Sequence, residues 1–241
     1  MNKKKSNWRF WLSLVIMVVL VPLTVWVFSR FDRKYYLAGL CIIVLTMAAF
    51  FLHFESRKPQ ARELVLLAVL CALAVASRAV FGFIPHFKPM LAIVMLTGIA
   101  FGPEAGFLCG AISAFASNFI FGQGPWTPWQ MFAYGIGGML AGLLAMWGIL
   151  KKSPKGIKDI AVLTVFGFLN ILLIVGPLLD TSTFFTVATA FDTSSVLAVY
   201  AAGVPVNCIH GSAVALTMLL FGKPLLDRLQ RIQIKYGMME P

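Results

Sequence analysis

Long apolar blocks alternate with short polar stretches along the whole chain. The blocks predict membrane segments at about 10–29, 36–53, 62–83, 89–101, 104–121, 129–150, 159–179 and 194–222. A bilayer takes about 20 apolar helical residues, and the alternation of a transmembrane β-strand is not visible. The short block 89–101 indicates a tilted helix or a half-span, while Gly203 and Pro205 predict a bent turn near the start of the last block. The pattern predicts an all-α polytopic membrane protein with eight membrane segments.

The composition excludes an ordinary soluble domain, because 60% of the 241 residues are hydrophobic and only 12% are charged, against about 25% charged in soluble domains. The net charge of +11 would indicate nucleic acid in a soluble chain, but in a membrane protein the distribution of charge decides the topology. With the N-terminus inside, the loop at 30–34 has the wrong charge, yet fifteen of the 20 Lys and Arg lie on the inner side. We therefore predict a bacterial plasma-membrane protein with both termini cytoplasmic and no nucleic-acid partner. The inner-side residues are Lys3, Lys4, Lys5, Arg9, Arg57, Lys58, Arg62, Lys151, Lys152, Lys155, Lys158, Lys223, Arg228, Arg231 and Lys235.

A polar, charged stretch at 54–62 (FESRKPQAR) divides the predicted spans into two groups. Residues 1–57 predict a two-helix transmembrane hairpin, and residues 58–241 predict a six-helix bundle with a short basic tail. Glycine and alanine are frequent in the bundle, as expected where helices approach closely. We interpret the G-x-x-x-G pairs Gly106/Gly110 and Gly138/Gly142 as internal helix packing.

The most informative short stretch is 119–131 (FIFGQGPWTPWQM), on the predicted outer side. Two prolines and two glycines predict a loop of fixed shape rather than a regular helix. Trp126 and Trp129 add large amphipathic surfaces beside Gln123, Thr127 and Gln130, a combination typical of a binding loop. The alternative is an aromatic belt that anchors a turn at the membrane interface.

A second outer stretch, 179–195 (LDTSTFFTVATAFDTSS), holds two aspartates and several hydroxyls. It predicts either a loop that closes over a ligand or a solvated connection. Within the spans, Arg78, Asn118, Asn207 and His210 are functional candidates because polar groups are costly in lipid. For Arg78 the alternative is snorkelling toward the headgroups, and for His210 it is a hydrogen-bonded core histidine.

Enzyme motifs are absent from the sequence, which contains no G-x-x-x-x-G-K-[ST], H-E-x-x-H or G-x-S-x-G pattern. The three histidines fall in different segments, and the four cysteines are dispersed without a C-x-x-C. The sequence thus predicts no catalytic residues, no metal site and no cofactor. If transport requires ATP, hydrolysis must take place on another chain.

Residues 62–236 resemble the substrate-binding S component of an energy-coupling factor (ECF) vitamin transporter. The resemblance rests on the alanine strip Ala68, Ala72 and Ala76, on the segment 88–118, on the G-P-W-T-P-W-Q-M stretch and on the basic tail 222–237. It implies six helices around an external pocket, and the alanine strip as a docking face for a transmembrane coupling (T) subunit. Two cytoplasmic ATPases act on that subunit, and the loaded bundle is expected to topple in the membrane to release its ligand.

The W-T-P-W stretch looks most like S components for corrinoids such as cobalamin, and haem is the next choice, with His210 as a conceivable metal ligand. Family members commonly have six helices, so the hairpin 1–57 is a departure. The residues predicted to bind substrate are Arg78, Asn118, Gln123, Trp126, Thr127, Trp129, Gln130, Asn207 and His210.

Two other functions remain open from the sequence. A self-sufficient carrier or channel would need ion-coupling residues or a repeat at the bilayer midplane. An intramembrane enzyme acting on lipids would need paired acids or metal ligands near one membrane face. The sequence favours a substrate-capture subunit over both.

Overall fold

The computed structural model describes residues 61–187 and 192–236, together with positions 23, 41, 43–45, 47 and 48. The chain divides into two compact units, Met1–Gln60 and Ala61–Pro241. The predicted hairpin spans 10–29 and 36–53 lie outside the described residues, apart from those few helical positions. The account below concerns the second unit.

All regular structure in 61–187 and 192–236 is helical. Two five-residue π turns, Ile171–Val175 and Met218–Gly222, join α5 to α6 and α7 to α8. The helices are α1 (Ala61–Val80), α2 (Met90–Phe101), α3 (Pro103–Phe121), α4 (Thr127–Met146), α5 (Ile157–Asn170), α6 (Gly176–Val187), α7 (Thr193–Thr217) and α8 (Lys223–Tyr236).

Five helical stretches of this unit are long and apolar enough to cross a membrane, which confirms the polytopic membrane class. They correspond to five of the predicted segments. These stretches are Ala61–Val80, Pro103–Phe121, Thr127–Met146, Ile157–Thr186 and Thr193–Tyr236.

Helix α2 forms the core of the bundle. Its 12 residues are all buried, and it packs against α1, α3, α4, α7 and α8. Twelve residues rise about 18 Å, well short of a hydrocarbon core of about 30 Å. The short predicted segment is therefore a buried central helix enclosed by longer ones.

Helices α3 and α4 touch backbone to backbone at glycines. A Cβ atom built on Gly106 would meet the carbonyl group of Gly138, and a Cβ on Gly138 would meet that of Gly106. Gly142 lies in the same way against Pro103. The contacts support the packing interpretation of both G-x-x-x-G pairs.

The last predicted span differs from the structure at both ends. Helix α7 runs through Pro205 without interruption, because neighbouring helices can satisfy the carbonyl that a proline leaves free. The predicted basic tail is the helix α8, whose Leu226 and Leu229 are buried. Their spacing of three residues places both on the face that packs against α2.

The outer stretch 179–195 was expected to be a loop, but α6 continues to Val187 and α7 begins at Thr193. The hydroxyls of this stretch are compatible with a helix because they donate to carbonyls one turn earlier. Thr181 Oγ1 donates to the Pro177 carbonyl at 2.7 Å, and Thr186 Oγ1 donates to the Ser182 carbonyl at 2.7 Å. Polarity here marks a helix that borders a polar space.

Candidate functional site

One end of the bundle, here called the site end, contains the last turns of α1, α3 and α6 and the first turns of α4 and α7. Contacts between distant parts of the sequence define it: Arg78 with Asn118, Asn118 with Thr127, and Thr181 with Tyr200. At the other end, Ser153 of the α4–α5 loop donates to Asp227 of α8. Seven of the nine predicted substrate-binding residues belong to the site end, whereas Asn207 and His210 lie further along α7.

Asn118 is the centre of a buried hydrogen-bond network. Its Oδ1 accepts from Arg78 Nη1 at 3.1 Å, and its Nδ2 donates to Thr127 Oγ1 at 3.1 Å and to Gln130 Oε1 at 2.8 Å. Arg78 Nη1 also donates to Ser117 Oγ. The structure thus joins α1, α3 and α4 through residues that the sequence had singled out separately.

The loop between α3 and α4 is shorter than expected, because α4 already begins at Thr127. Pro128 is compatible with the first turn, where a backbone N–H has no helical partner. Thr127 Oγ1 donates to Gln123 Oε1 at 2.9 Å and accepts from the Gly124 N–H at 3.2 Å. Gln123 and Thr127 therefore fix the loop, and Gln130 projects from the helix that follows it.

The two indoles have different environments. Trp126 is 41% exposed, and Trp129 is 7% exposed. The Trp129 ring packs against Phe185 of α6 with centroids 5.8 Å apart, and its Nε1 is buried without a hydrogen-bond partner among the described residues. Only Trp126 presents its ring to open space.

A cavity of about 340 Å³ opens beside Trp126. Its walls combine one indole, one carboxamide and three hydroxyls with a single aliphatic side chain, so it can stack a ring and hydrogen-bond to its edges. Pockets for small ligands typically measure about 300–1,000 Å³. The lining residues are Trp126, Gln130, Leu179, Ser182, Thr183 and Thr186.

A group of basic side chains lies around Phe121. Arg78 Cζ is 4.6 Å from the Phe121 ring centroid, and Lys88 Nζ is 5.9 Å from the same centroid. Burial and the neighbouring Arg78 guanidinium lower the pKa of Lys88. Arg78 is thus a buried residue with defined contacts, and snorkelling toward the headgroups does not describe it.

His210, 7% exposed, packs edge-on to Tyr134 with centroids 6.1 Å apart.

Asn207 and His210, two of the polar candidates within the spans, take part in different contacts. Asn207 Nδ2 donates to Asp180 Oδ2 of α6 at 2.8 Å. Two glycines leave space for this hydrogen bond: Asn207 lies against Gly176, and Asp180 lies against Gly203. Asn207 holds α6 to α7, whereas His210 faces Tyr134 of α4.

Sequence reasoning missed Ser117, Phe121 and Tyr134. One signal was available for Ser117, because a buried arginine needs several acceptors and Asn118 alone supplies too few. Phe121 and Tyr134 belong to generally apolar helices, and nothing in their local pattern distinguishes them from lipid-facing or core aromatics.

The predicted docking strip lies on an open surface of α1. Ala68, Ala72 and Ala76 are all exposed, while the opposite face of α1 buries Leu67, Leu70, Cys71, Ala74 and Arg78. The strip is thus accessible along about two helical turns.

Neither metal chemistry nor a second polar cavity stands out in the described ranges. Within 61–187 and 192–236, no three His, Cys, Asp or Glu residues come close enough to hold a metal ion. A larger cavity of about 520 Å³ lies between α5 and α7, and its walls are mostly apolar, including Phe168, Leu169 and Leu216.

The described residues thus form a bundle of apolar helices with a small aromatic and polar cavity at one end. The family described as the S component of ECF-type riboflavin transporters matches residues 58–227. The chain belongs to this family. Membership confirms the predicted S-component class and gives no support to the cobalamin type.

Similar curated proteins carry names that state no ligand. A UPF0397 protein of Vibrio atlanticus (strain LGP32) is 33% identical over 113 residues, which cover 44% of this chain and 61% of the relative. UPF0397 proteins of Aliivibrio fischeri (strain MJ11) and Aliivibrio salmonicida (strain LFI1238) are 32% and 30% identical over 119 residues, covering 45% and 46% of this chain and 62% and 63% of the relatives. The chain thus spans about three fifths of the length of these relatives. No solved structure was found to match it.

Proposed function

We propose that this chain captures a flat, vitamin-sized ligand of the flavin kind in the cavity beside Trp126 and delivers it to an ECF coupling module. The observation that carries the proposal is the cavity of about 340 Å³, bordered by an exposed indole and by hydroxyls on α6. Trp126 offers a stacking face for a fused ring system, and Ser182, Thr183 and Gln130 offer hydrogen bonds to its carbonyl and imide edge. The family description, which names riboflavin, points to the same ligand class.

Corrinoids and haem have less support than a flavin. A corrinoid with its side chains is much larger than an isoalloxazine ring, and the cavity is near the lower end of the usual size range for ligand pockets. His210 is absent from the cavity wall and packs against Tyr134 instead. Metal ligation by His210 therefore receives no support from its position.

Coupling is proposed to use the exposed strip Ala68, Ala72 and Ala76, against which a transmembrane T subunit with two ATPases would dock. Small side chains allow two helices to approach closely and slide without interlocking. With both termini cytoplasmic, the basic inner loops follow the positive-inside rule, and the site end faces outward. Ligand then enters from the outside.

The ligand proposal is tested by titrating the purified full chain in nanodiscs with riboflavin, cobalamin and haem. Riboflavin is expected to bind with quenching of its fluorescence, since stacking on an indole quenches flavin emission. Tight cobalamin binding without riboflavin binding would contradict the flavin assignment. ATP-independent uptake by the chain alone would instead favour a self-sufficient carrier.

Trp126→Ala should weaken riboflavin binding about tenfold to a hundredfold, because stacking on an aromatic ring contributes about 1–3 kcal/mol. Trp147→Ala is the matched control, because Trp147 is also exposed (69%) but follows α4 at the end opposite the cavity. Trp129→Ala should also lower the thermal midpoint, because Trp129 is buried and removal of such a ring costs about 3–5 kcal/mol. Equal effects of Trp126→Ala and Trp147→Ala on affinity would remove the cavity from the binding site.

A further inference from the structure

The site end carries positive charge that no described carboxylate balances. Neither Arg78 nor Lys88 forms an ion pair with an acidic side chain in 61–187 or 192–236, whereas Lys223 Nζ lies 2.8 Å from Asp227 Oδ2 at the other end of the bundle. Asp180, an acidic residue of the site end, receives its hydrogen bond from Asn207. Burial and Arg78 both lower the pKa of Lys88, and no acid opposes them.

Arg78 is buried in an unusual way. It is 5% exposed, its Nη1 bonds only to the neutral oxygens of Ser117 and Asn118, and its Nε has no described partner. His210 Nε2, also buried, has none. The Phe121 ring compensates part of the charge by a cation–π contact, but a buried guanidinium normally requires an anionic partner. In a membrane protein such a residue indicates a functional partner.

The cationic group adjoins the proposed binding cavity through one side chain. Gln130 lines the cavity and accepts from Asn118 at 2.8 Å, and Asn118 in turn accepts from Arg78. The Gln130–Asn118–Arg78 chain thus links the cavity to the guanidinium, and Lys88 lies over the same Phe121 ring as Arg78.

We propose, building on the substrate-capture function above, that the captured ligand carries an oxyanion, a phosphate or carboxylate, which is held between Arg78 and Lys88. The planar guanidinium offers several N–H donors that match a phosphate or carboxylate, and Lys88 adds a second point charge. Riboflavin itself lacks such a group, whereas riboflavin 5′-phosphate has one at the end of its flexible chain.

A phospholipid headgroup has the same phosphate chemistry. Arg78 is only 5% exposed, and the hydrogen-bonded chain from Gln130 through Asn118 connects it to the cavity. The assignment to a soluble ligand therefore takes precedence, and the test below separates the two sources.

The test uses the purified full chain in nanodiscs of neutral phosphatidylcholine. First, inorganic phosphate, phenyl phosphate and benzoate are added, and the thermal midpoint is measured for wild type, Arg78→Gln, Arg78→Lys and the control Lys158→Gln, an exposed basic position on α5. At least one oxyanion is expected to stabilise wild type and the control, to stabilise Arg78→Lys less, and to have no effect on Arg78→Gln. If Arg78→Gln does not fold, Lys88→Gln, in a loop, replaces it with the same expectation.

Second, riboflavin and riboflavin 5′-phosphate are compared as a matched pair. Wild type is expected to bind the phosphate about tenfold or more tightly, the effect of one charge-assisted contact, and the ratio should fall to about 1 in Arg78→Gln. Stabilisation by small oxyanions without any flavin binding would refute the flavin ligand and leave the oxyanion site standing. Flavin binding with no Arg78-dependent oxyanion effect in either measurement would overturn the oxyanion site alone.

Third, nanodiscs containing phosphatidylglycerol test for a lipid source of the phosphate. Arg78-dependent stabilisation by this lipid, with no effect of soluble oxyanions, would also overturn the proposal.

Discussion

At the scale of single residues, Asn118 determines how the site end is held together. A carboxamide can accept and donate at once, and Asn118 uses its oxygen for Arg78 and its nitrogen for Thr127 and Gln130. An ionised aspartate, the side chain of the same shape, could only accept. The identity of this residue therefore fixes the positions of three neighbours on two other helices.

Asn118→Asp should add a negative charge beside Arg78 while keeping the shape of the side chain. The new carboxylate would lie where Oδ1 now accepts from Arg78 at 3.1 Å, and it would neutralise the guanidinium internally. The variant should therefore lose the preference for riboflavin 5′-phosphate over riboflavin, by about tenfold if one charge-assisted contact is replaced. Titration of both flavins measures this ratio. Asn118→Ser, which adds no charge, is the control and should keep a larger share of the preference; an unchanged ratio in Asn118→Asp would contradict the internal neutralisation.

Lys88 should make stability depend on pH in a defined direction. Burial and Arg78 lower its pKa below the ordinary 10.5, so at pH values between the two the unfolded chain binds more protons than the folded one. Stability must then rise with pH across this interval. The thermal midpoint, followed up to pH 10.5, should lose this rise in Lys88→Met relative to wild type. Lys158→Met, at an exposed position, controls for the removal of one positive charge, and a rise preserved in Lys88→Met would show that another group causes it.

At the scale of elements, α2, α3 and α4 form a tight contact at glycines. Gly98, Gly106 and Gly138 bring three helices to backbone contact, and the residues of the Asn118 network extend from this contact toward the site end. A tight helix pair of this kind leaves little freedom for Thr127 and Gln130 to move relative to Asn118. Packing deep in the bundle thereby preorganises the site.

Gly138→Ala should destabilise the bundle by about 1–3 kcal/mol, the usual cost of overpacking, because the added methyl group would meet the Gly106 carbonyl. Gly156→Ala is the matched control: it precedes α5, its φ of −127° suits alanine, and a Cβ there meets nothing within 4 Å. Thermal unfolding in nanodiscs compares the two. A midpoint for Gly138→Ala equal to that of Gly156→Ala would refute the tight contact.

The sequence allowed some elements to be predicted and hid others, for physical reasons. Hydropathy located the long spans, because lipid selects for apolar length whatever the packing. It could not show that α2 is enclosed, since a buried helix and a lipid-facing helix are equally apolar. The hydroxyls at Thr181 and Thr186 were read as loop polarity, because their backbone acceptors exist only once the helix has formed. Arg78 and Asn118 could be singled out by the cost of polarity in lipid, but their bond to each other, 40 positions apart, required the fold.

At the scale of the whole molecule, the binding cavity and the proposed docking strip are separate surfaces. The cavity is built by α4, α6 and the α3–α4 loop, whereas Ala68, Ala72 and Ala76 belong to α1. Helix α1 contributes to the site only through Arg78, near its last turn. Binding and assembly should therefore respond to different substitutions.

Ala72→Trp should abolish complex formation with a T subunit and its ATPases while leaving riboflavin affinity within about twofold, since exposed positions away from a site have small effects. Ala161→Trp, at an exposed alanine of α5, is the control and should assemble normally. Copurification of coexpressed subunits measures assembly, and flavin titration measures binding. Loss of assembly in both variants would mean that α1 has no special part in docking.

The π turn at Ile171–Val175 has a consequence for insertions and deletions. A wide turn accommodates one residue more than an α-helical turn, and each residue of an α-helix turns the chain by about 100°. Deletion of one residue between 171 and 175 would let the helix close into regular α geometry and would rotate α6 by that angle about its axis. Asp180 would then turn away from Asn207, and Ser182 would turn away from the cavity. The direction in which the α6 side chains of the cavity point thus depends on a single extra residue in the π turn, where the side chains themselves are all apolar.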